Sequence, residues 1–398
     1  MRALVTVSLR SLHMIAIGFQ VNSRPMKQSP QAKVLAILGA LLLPGTAALA
    51  LPVTGLYNHE VAVTGQSETE RNNAFREALS AVVVKVTGNE SWLENSAVRQ
   101  ALSNARSLVQ EIQYRTENLP AADMPLAPSD SPVTDVTPPG SRTLMNVIFA
   151  REAIDRLLAS AAIPVWDSNR PSILVWMVLQ NDNGERRLLS ADSQPEIVGF
   201  IQEFARLRGV PILFPVLDFE DRQSLSADQL WALDAAAIRQ ASNRYGADSI
   251  LAGRLHLANS GDLVGLWQFQ FQDQNLVFDS FDSDLKNYVF EPLNLVTTRL
   301  AEHFAIVRPN GAEDKIRLKV SGVRDLSVYS SLVKLLQGLS VVNSVVTSGL
   351  DGDNLELELS LLGSRQQFYE LIALDRALQP VSQRPTENDS VLSYRWTR

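Results

Sequence analysis

The sequence predicts a chain of three small domains of the α/β and α+β classes, over residues 51–169, 170–307 and 313–398. Three observations predict this fold class. Residues 226–271 combine a helix pattern with two strand patterns, residues 173–179 are apolar throughout, and residues 316–396 alternate strand and helix patterns. Apolar periods of two and of about 3.6 residues distinguish strands from amphipathic helices. A length of 398 residues also fits two or three domains.

The stretch from Ser226 to Phe271 supports the α/β prediction most directly. Ser226 and Gln229 have the spacing of a capping box, and the pattern predicts one helix from there to Tyr245. Gly246 then suits a left-handed C-terminal cap. A strand over 250–257, a turn at residues 261–262 and an alternating strand follow. Alternation predicts one buried and one wet face. The predicted buried side chains are Trp267, Phe269 and Phe271, and the predicted wet ones are Gln268, Gln270 and Gln272.

The first domain should contain a strand over 57–64 and a long helix that ends at Gly88. Ser67 and Glu70 have capping-box spacing at the start of that helix. A shorter helix over 94–105, an extended segment over 109–115, a strand over 144–149 and a helix over 151–161 follow. Six prolines among Asp, Ser and Thr predict an exposed loop over 120–140 within this domain.

The middle domain should contain a buried strand over 173–179, a helix over 195–208 and a second buried strand over 212–216. The stretch from Ser226 then adds a helix and two strands, and a helix over 285–307 ends the domain, with Pro292 kinking it or marking its start. This order predicts a Rossmann-like sheet, also similar to anticodon-binding domains, with an added hairpin. Residues 313–398 follow the order β-α-β-β-α-β of a ferredoxin-like unit.

The N-terminal region indicates export. A basic stretch that begins at Met26 and Lys27 precedes an apolar run over 34–43, and Ala48-Leu49-Ala50 suits a signal peptidase. The run is shorter than the roughly 20 residues that a spanning helix needs. We therefore expect residues 1–50 to be a signal-peptide region, with cleavage after Ala50, the true start at Met26 and the mature protein in the periplasm. A genuine two-part leader is the alternative for residues 1–25.

Composition excludes several classes of site and partner. The absence of cysteine excludes disulfides, thiolate metal sites, a cysteine nucleophile and a lipid-modified cysteine. Residues 1–50 hold five basic and no acidic residues, so the remainder carries 31 basic and 43 acidic residues and a net charge of −12. That charge argues against nucleic acid and anionic lipid as partners. No later stretch has the length of a transmembrane segment, so the mature protein is expected to be soluble.

The chain lacks the glycine-rich, zinc-binding and nucleophile-elbow motifs that carry common chemistries, so we expect no cofactor, metal or catalytic residue. Asp279, Asp282 and Asp284 lack EF-hand spacing, which favours a solvated loop over a calcium site. One candidate functional loop remains after the strand over 212–216, and it consists of Asp218, Glu220, Asp221 and Arg222.

Two interpretations of this loop stay open. Ligands of open α/β sheets bind beyond the carboxyl ends of the strands, where Asp218 and Asp221 could act as acid and base. Alternatively, the carboxylates cap the following turn, and Asp221 pairs with Arg222. The second interpretation needs fewer assumptions, because nothing nearby in the sequence completes a mechanism.

Several motifs carry a resemblance to an uncharacterised bacterial envelope family, the domain of unknown function 2066, over roughly residues 55–305. These motifs include Pro215, Asp218, Asp221, Trp231, residues 241–248, Gly253-Arg254-Leu255 and Trp267. The resemblance implies no activity. More distantly, the unit around Gly246 is similar to the amino-terminal domain of the Tol–Pal translocation protein, to outer-membrane activators of penicillin-binding proteins and to flagellar assembly protein T. Those domains bind periplasmic partners.

Together these observations predict a non-enzymatic interaction or assembly factor of the cell envelope, whose partner is an unidentified envelope protein. A periplasmic hydrolase that uses Asp218 and Asp221, and a small-ligand sensor, are the alternatives. Tyr245 and Trp267 lie on apolar faces of the predicted elements, so we expect both to be core residues.

Overall fold

Three β-sheets with flanking helices make up the part of the chain that the computed structural model describes. The described residues are 53–65, 67–118, 141–181, 183–190, 194–257, 262–307, 314–381 and 391–397. All of them belong to one compact unit, residues 48–398. The predicted signal-peptide region, residues 1–50, and the predicted proline-rich loop, residues 120–140, lie outside the described residues. The mixed α/β fold class is confirmed.

The first sheet is antiparallel, with the strand order β1-β3-β2. Its strands are β1 (Asn58–Val63), β2 (Val109–Asn118) and β3 (Ser141–Phe149). Its helices are α1 (Glu68–Thr87), α2 (Ser96–Ser103) and α3 (Arg151–Ser160), with 3₁₀ turns over Glu90–Glu94 and Ala105–Leu108. Leu79 and Val82 of α1 share an apolar core with Met145 and Val147 of β3, so one face of α1 covers the sheet.

Helix α1 ends as predicted, whereas its start differs from the prediction. Gly88 adopts a left-handed conformation with φ of 73°, and its N–H donates to Val84 O. At the start, the Ser67 side chain accepts from Glu70 N. The Glu70 carboxylate instead accepts from Thr64 N, Thr64 Oγ1 and Gly65 N. The predicted reciprocal capping box is therefore wrong, because Glu70 fixes the chain that enters the helix.

The second sheet has the strand order β5-β4-β7-β8-β9, and β6 pairs with β4. Its strands are β4 (Ile173–Gln180), β5 (Arg186–Leu188), β6 (Ile212–Leu213), β7 (Ser249–Leu257), β8 (Leu263–Phe271) and β9 (Gln274–Asp282). Its helices are α4 (Pro195–Arg208), α5 (Phe219–Ser224), α6 (Ala227–Trp231), α7 (Ala235–Ser242) and α8 (Leu285–Phe304). Strand β4 is parallel to β6 and β7, while β7, β8 and β9 pair antiparallel. Three parallel strands with an added hairpin agree with the predicted order.

The single helix predicted from Ser226 to Tyr245 is two helices, α6 and α7. The predicted capping box of Ser226 and Gln229 is present at the start of α6. The break comes at Leu233, whose backbone is left-handed with φ of 52° and whose side chain is buried. The Asp234 side chain then accepts from the N–H groups of Ala236 and Ala237 and starts α7. Asp234, a capping residue inside the apolar pattern, therefore separates the two helices.

Strand β8 is covered on both faces, so the predicted wet face is wrong for both of its glutamines, and the third predicted residue, Gln272, is exposed in the turn after the strand. Gln268 and Gln270 are both buried. Their side-chain amides donate to Leu233 O at 3.2 Å and to Ala235 O at 3.3 Å. These acceptors lie where α6 gives way to α7, so the two short helices provide the polar partners that make glutamine burial acceptable.

Three further predictions in this sheet need correction. The solvated loop predicted around Asp279 and Asp282 is strand β9, and Asp284 caps α8. Because α8 begins at Leu285, Pro292 lies inside that helix and does not mark its start. The buried strand predicted over 212–216 is only Ile212–Leu213, and Val216 is exposed.

The third sheet has five strands in the order β11-β12-β10-β14-β13. Its strands are β10 (Asp314–Ser321), β11 (Val342–Asp351), β12 (Asn354–Leu361), β13 (Leu378–Pro380) and β14 (Val391–Trp396), with helices α9 (Leu326–Gly338) and α10 (Arg365–Ala373). The ferredoxin-like prediction is correct as far as α10. A short extra strand, β13, then pairs antiparallel with β14, so β14 reverses direction and runs parallel to β10.

A buried arginine joins the helices of the first and second sheets. The Arg170 guanidinium lies over the Trp166 ring, 4.2 Å from its centroid. It donates to five carbonyl oxygens, those of Asp167 at 2.8 Å, Arg208 at 2.8 Å, Gly209 at 3.0 Å, Lys85 at 2.6 Å and Trp166 at 3.0 Å. Lys85 and Arg208 lie at the carboxyl ends of α1 and α4, where a cation is favoured by the helix dipole.

The carboxylate of Asp167 links the third sheet to the segment that contains Arg170. Asp167 is buried, and its Oδ2 accepts from the backbone N–H of Ser340, which follows α9. Its Oδ1 accepts from Ser168 N. Burial raises the pKa of Asp167, while these two backbone donors oppose the shift. Residues 166–170 therefore contact elements from all three sheets.

Candidate functional site

The candidate loop lies against residues 244 and 245, in the segment that connects α7 to β7. Strand β6 has only two residues and pairs with the first two residues of β4, and the loop follows it. Arg244 and Tyr245 contact the loop, and they lie five and four residues before Ser249, where β7 begins. The loop therefore lies beside the start of β7, and not beyond the carboxyl end of that strand, where ligands of open α/β sheets bind.

Asp218 is both a helix cap and an ion-pair partner. Its Oδ1 accepts from Asp221 N at 3.0 Å and so caps α5. Arg244 donates from Nη1 to Asp218 Oδ1 at 2.7 Å and from Nη2 to Oδ2 at 2.9 Å. The hydrogen bonds from Arg244, together with the backbone donors, lower the pKa of Asp218 to about 2. This carboxylate is therefore ionised at neutral pH and is unsuited to donating a proton.

Asp221 is fully buried, and its hydrogen bonds hold the loop to residues 244 and 245. Its Oδ2 accepts from Leu217 N at 2.8 Å and from the Tyr245 hydroxyl, and its Oδ1 accepts from Arg244 at 3.0 Å. The predicted pairing with Arg222 is wrong, because Arg222 Nε donates to Leu217 O at 2.8 Å. We call Asp218, Asp221, Arg244 and Tyr245 the polar cluster. Glu220 lies at its edge, 3.6 Å from Arg244.

Tyr245 is half-buried, so the prediction that it is a core residue is correct only for its ring. The ring packs edge-on against Trp176, with centroids 6.2 Å apart. Its hydroxyl accepts from Val216 N at 2.8 Å. Burial and the hydrogen bond to Asp221 raise the pKa of Tyr245 to about 12, so the hydroxyl keeps its proton. The polar end of the side chain thus belongs to the loop.

The loop presents two apolar side chains to solvent, Val216 and Phe219, which we call the tip. Leu217 between them is buried and has a left-handed backbone with φ of 55°. That conformation is costly for a branched residue, and such strain often accompanies function. Leu217 turns into the core, whereas Val216 is 70% and Phe219 is 82% exposed. The polar cluster holds the tip in place.

The Asp218–Arg244 pair should persist well into the acid range. Because the folded pKa of about 2 lies below the ordinary value, the pair contributes stability at neutral pH that is lost as pH falls through about 2. We expect the amide NMR resonances of residues 217–222 to shift together with a midpoint near that pH. Arg244→Gln should move the midpoint towards about 4, the value of an ordinary aspartate. A wild-type midpoint at that ordinary value would contradict the pairing.

Sequence reasoning found the four loop residues but missed Arg244 and Tyr245. Both lie in the stretch 241–248 that carries the family resemblance, directly before Gly246. Local spacing gives no sign that they return to a loop more than 20 residues earlier. A buried carboxylate needs donors, however, and an arginine next to a tyrosine at a helix end supplies them.

Comparison with known proteins identifies one matching family. It is described as Domain of unknown function (DUF8605) and matches residues 50–167. The match is consistent with an uncharacterised family and covers the first sheet but not the tip. The predicted family number 2066 and the more distant similarities remain predictions. No protein of the curated collection matches the chain.

Two features are absent from the described ranges. No helix there combines the length and the apolar character needed to cross a bilayer. The same residues contain no group of three or more His, Asp or Glu side chains arranged to hold a metal ion.

Proposed function

We propose that this protein is a non-enzymatic interaction or assembly factor of the bacterial cell envelope, and that the tip is one of its contact points. The tip carries the proposal, because a phenylalanine that is 82% exposed lies there on a strained loop that Arg244 and Tyr245 hold through hydrogen bonds to Asp221. Exposed apolar side chains on a rigid support are typical of contact sites for partner proteins.

The alternative of a hydrolase fits the geometry less well. A general acid needs a raised pKa, and Asp218 has a pKa lowered by Arg244. Asp221 is fully buried among its donors and so is screened from a substrate. The polar cluster is better suited to hold the tip rigid than to transfer a proton.

The periplasmic location is part of the same proposal. It is supported by the basic stretch from Met26, the apolar run over 34–43 and the Ala48-Leu49-Ala50 sequence. The predicted mature chain would begin at Leu51.

Site-specific crosslinking in cells tests the proposal. A photoreactive amino acid at position 219 should capture an envelope protein. The intact mass of the crosslinking protein itself should correspond to a chain that begins at Leu51. The same amino acid at Leu350, an exposed position on the third sheet, is the matched control and should not capture it. Phe219→Ser should abolish binding of the identified partner without changing the melting temperature.

Two results would contradict the proposal. Protein that stays in the cytoplasm with residues 34–50 attached would remove the envelope assignment. Unchanged partner binding by Phe219→Ser, with the fold intact, would show that the tip is not a contact point.

A further inference from the structure

Strand β9 is an edge of the second sheet and is regular along its whole length. It pairs with β8 on one side through nine consecutive residue pairs, from Leu263–Asp282 to Phe271–Gln274. A two-residue turn joins the strands, so residues 274, 276, 278 and 280 bond to β8 and the backbone groups of alternate residues point outward. Among the described residues, no backbone group bonds to that outer side.

Several other sheet edges in the described chain carry the features that prevent strand addition. Strand β11 has two register shifts, and β2 has one register shift and charged side chains in ion pairs. Strand β13 has three residues and ends at Pro380, while β5 and β6 have three and two residues. Bulges, charges, proline and short length are the usual protection of an edge. Strand β9 has nine residues without bulge, lysine or proline, and its charged residues are Asp279 and Asp282.

The outer part of β9 also presents exposed apolar side chains on one face. Val277 is 49% and Phe281 is 64% exposed. Both lie on the face that α7 covers further in, over Gln268 and Gln270 of β8. Val264 pairs with Phe281 and is exposed on the same face, so the apolar strip continues across the two strands.

The charge of this hairpin selects the kind of strand that it would accept. Residues 262–285 contain five aspartates and no basic residue. Asp279 lies between Val277 and Phe281 on the exposed face and has no ion-pair partner among the described residues. An added strand would place a side chain directly opposite Asp279, where a cation is favoured and an acid is disfavoured.

We propose that β9 binds an extended segment of a partner protein by strand addition, and that this segment carries the pattern apolar-x-basic-x-apolar. The basic residue lies opposite Asp279, and the apolar residues lie opposite Val277 and Phe281. Backbone hydrogen bonds provide affinity and the alternate side chains provide specificity, as in other cases of strand addition. A second copy of this chain fits less well, because its β9 would bring another acidic hairpin to the same edge. The inference rests on β9 alone and is independent of the tip.

Peptide binding to the full mature chain tests the inference. The probe is the fluorescent peptide Thr-Val-Thr-Lys-Thr-Val-Thr, compared with the same peptide carrying Glu in place of Lys, by fluorescence anisotropy at low salt. We expect the Lys peptide to bind at least tenfold more tightly. Asp279→Lys should reverse this preference. Val277→Pro removes an outward N–H, which an edge strand tolerates, and should abolish binding of both peptides.

The controls separate strand addition from other outcomes. Leu350→Lys, on the edge strand β11, should leave binding unchanged, and Val277→Lys replaces the proline variant if that variant is unfolded. Failure of the wild type to bind the Lys peptide, or binding that survives Val277→Pro, would overturn the inference. So would a wild-type dimer that Val277→Lys converts to a monomer, since the occupant would then be a second copy. Phe219→Ser should bind the Lys peptide like the wild type.

Discussion

Arg170→Ala should lose at least about 4 kcal/mol of unfolding free energy, and we expect little soluble protein. Arg170 is buried and donates to five carbonyl oxygens, including those at the carboxyl ends of α1 and α4. Each buried polar group left without a partner costs about 1–3 kcal/mol, although such costs are not fully additive. A domain is stable by only about 5–15 kcal/mol in total. Urea unfolding followed by tryptophan fluorescence measures the loss.

Arg170→Lys is the matched control for this substitution. Lysine keeps the charge but has one donor group in place of the planar fork, so it reaches fewer of the five oxygens. We expect Arg170→Lys to lose some unfolding free energy, but less than Arg170→Ala. If Arg170→Ala unfolded within about 1 kcal/mol of the wild type, the network would contribute far less than its geometry indicates.

Trp267→Ala should cost about 3–5 kcal/mol, the usual range for truncating a buried aromatic side chain. Trp267 is 1% exposed, and its Nε1 donates to Ser280 Oγ at 3.2 Å. Its ring lies 5.9 Å from that of Tyr288 and directly over Gly253, where even a Cβ atom would lie 2.3 Å from the ring. Thermal unfolding and soluble yield are the measurements.

Trp267→Phe serves as the control, because it keeps an aromatic ring and loses only part of the volume and one hydrogen bond. We expect a smaller loss for this variant. A Trp267→Ala protein with an unchanged melting temperature that had lost only partner binding would show that Trp267 is a contact residue and not part of the core.

The sequence predicted elements well where local pattern and burial agree. Residues 173–179 of β4 are apolar throughout, and the strand is buried on both faces over 173–178. Helix α4 begins at Pro195 and ends at Arg208, as its pattern indicates. Prediction failed where a distant element decides the environment. Gln268 and Gln270 alternate like solvent-facing residues, yet carbonyl groups at Leu233 and Ala235 give them buried partners.

The candidate site shows the same limit. Asp218 and Asp221 could be singled out from their position after a strand, and Arg222 was the nearest cation in the sequence. Their actual partner, Arg244, lies 26 residues after Asp218 and comes into contact only when α7 packs beside the loop. Spacing along the chain contains no information about that contact, so the pairing could not be predicted without the fold.

The hydrogen bonds of Arg170 cross the boundary of the region that matches a sequence family. The region shared with the uncharacterised family ends at residue 167, three residues before Arg170. The carbonyl groups of Lys85 and Trp166 lie inside that region, and their donor lies outside it. A fragment excised at the family boundary would retain the first sheet and its helices but lose the cation that closes the end of α1. A fragment in which these carbonyl groups keep their hydrogen bonds must therefore extend past residue 170.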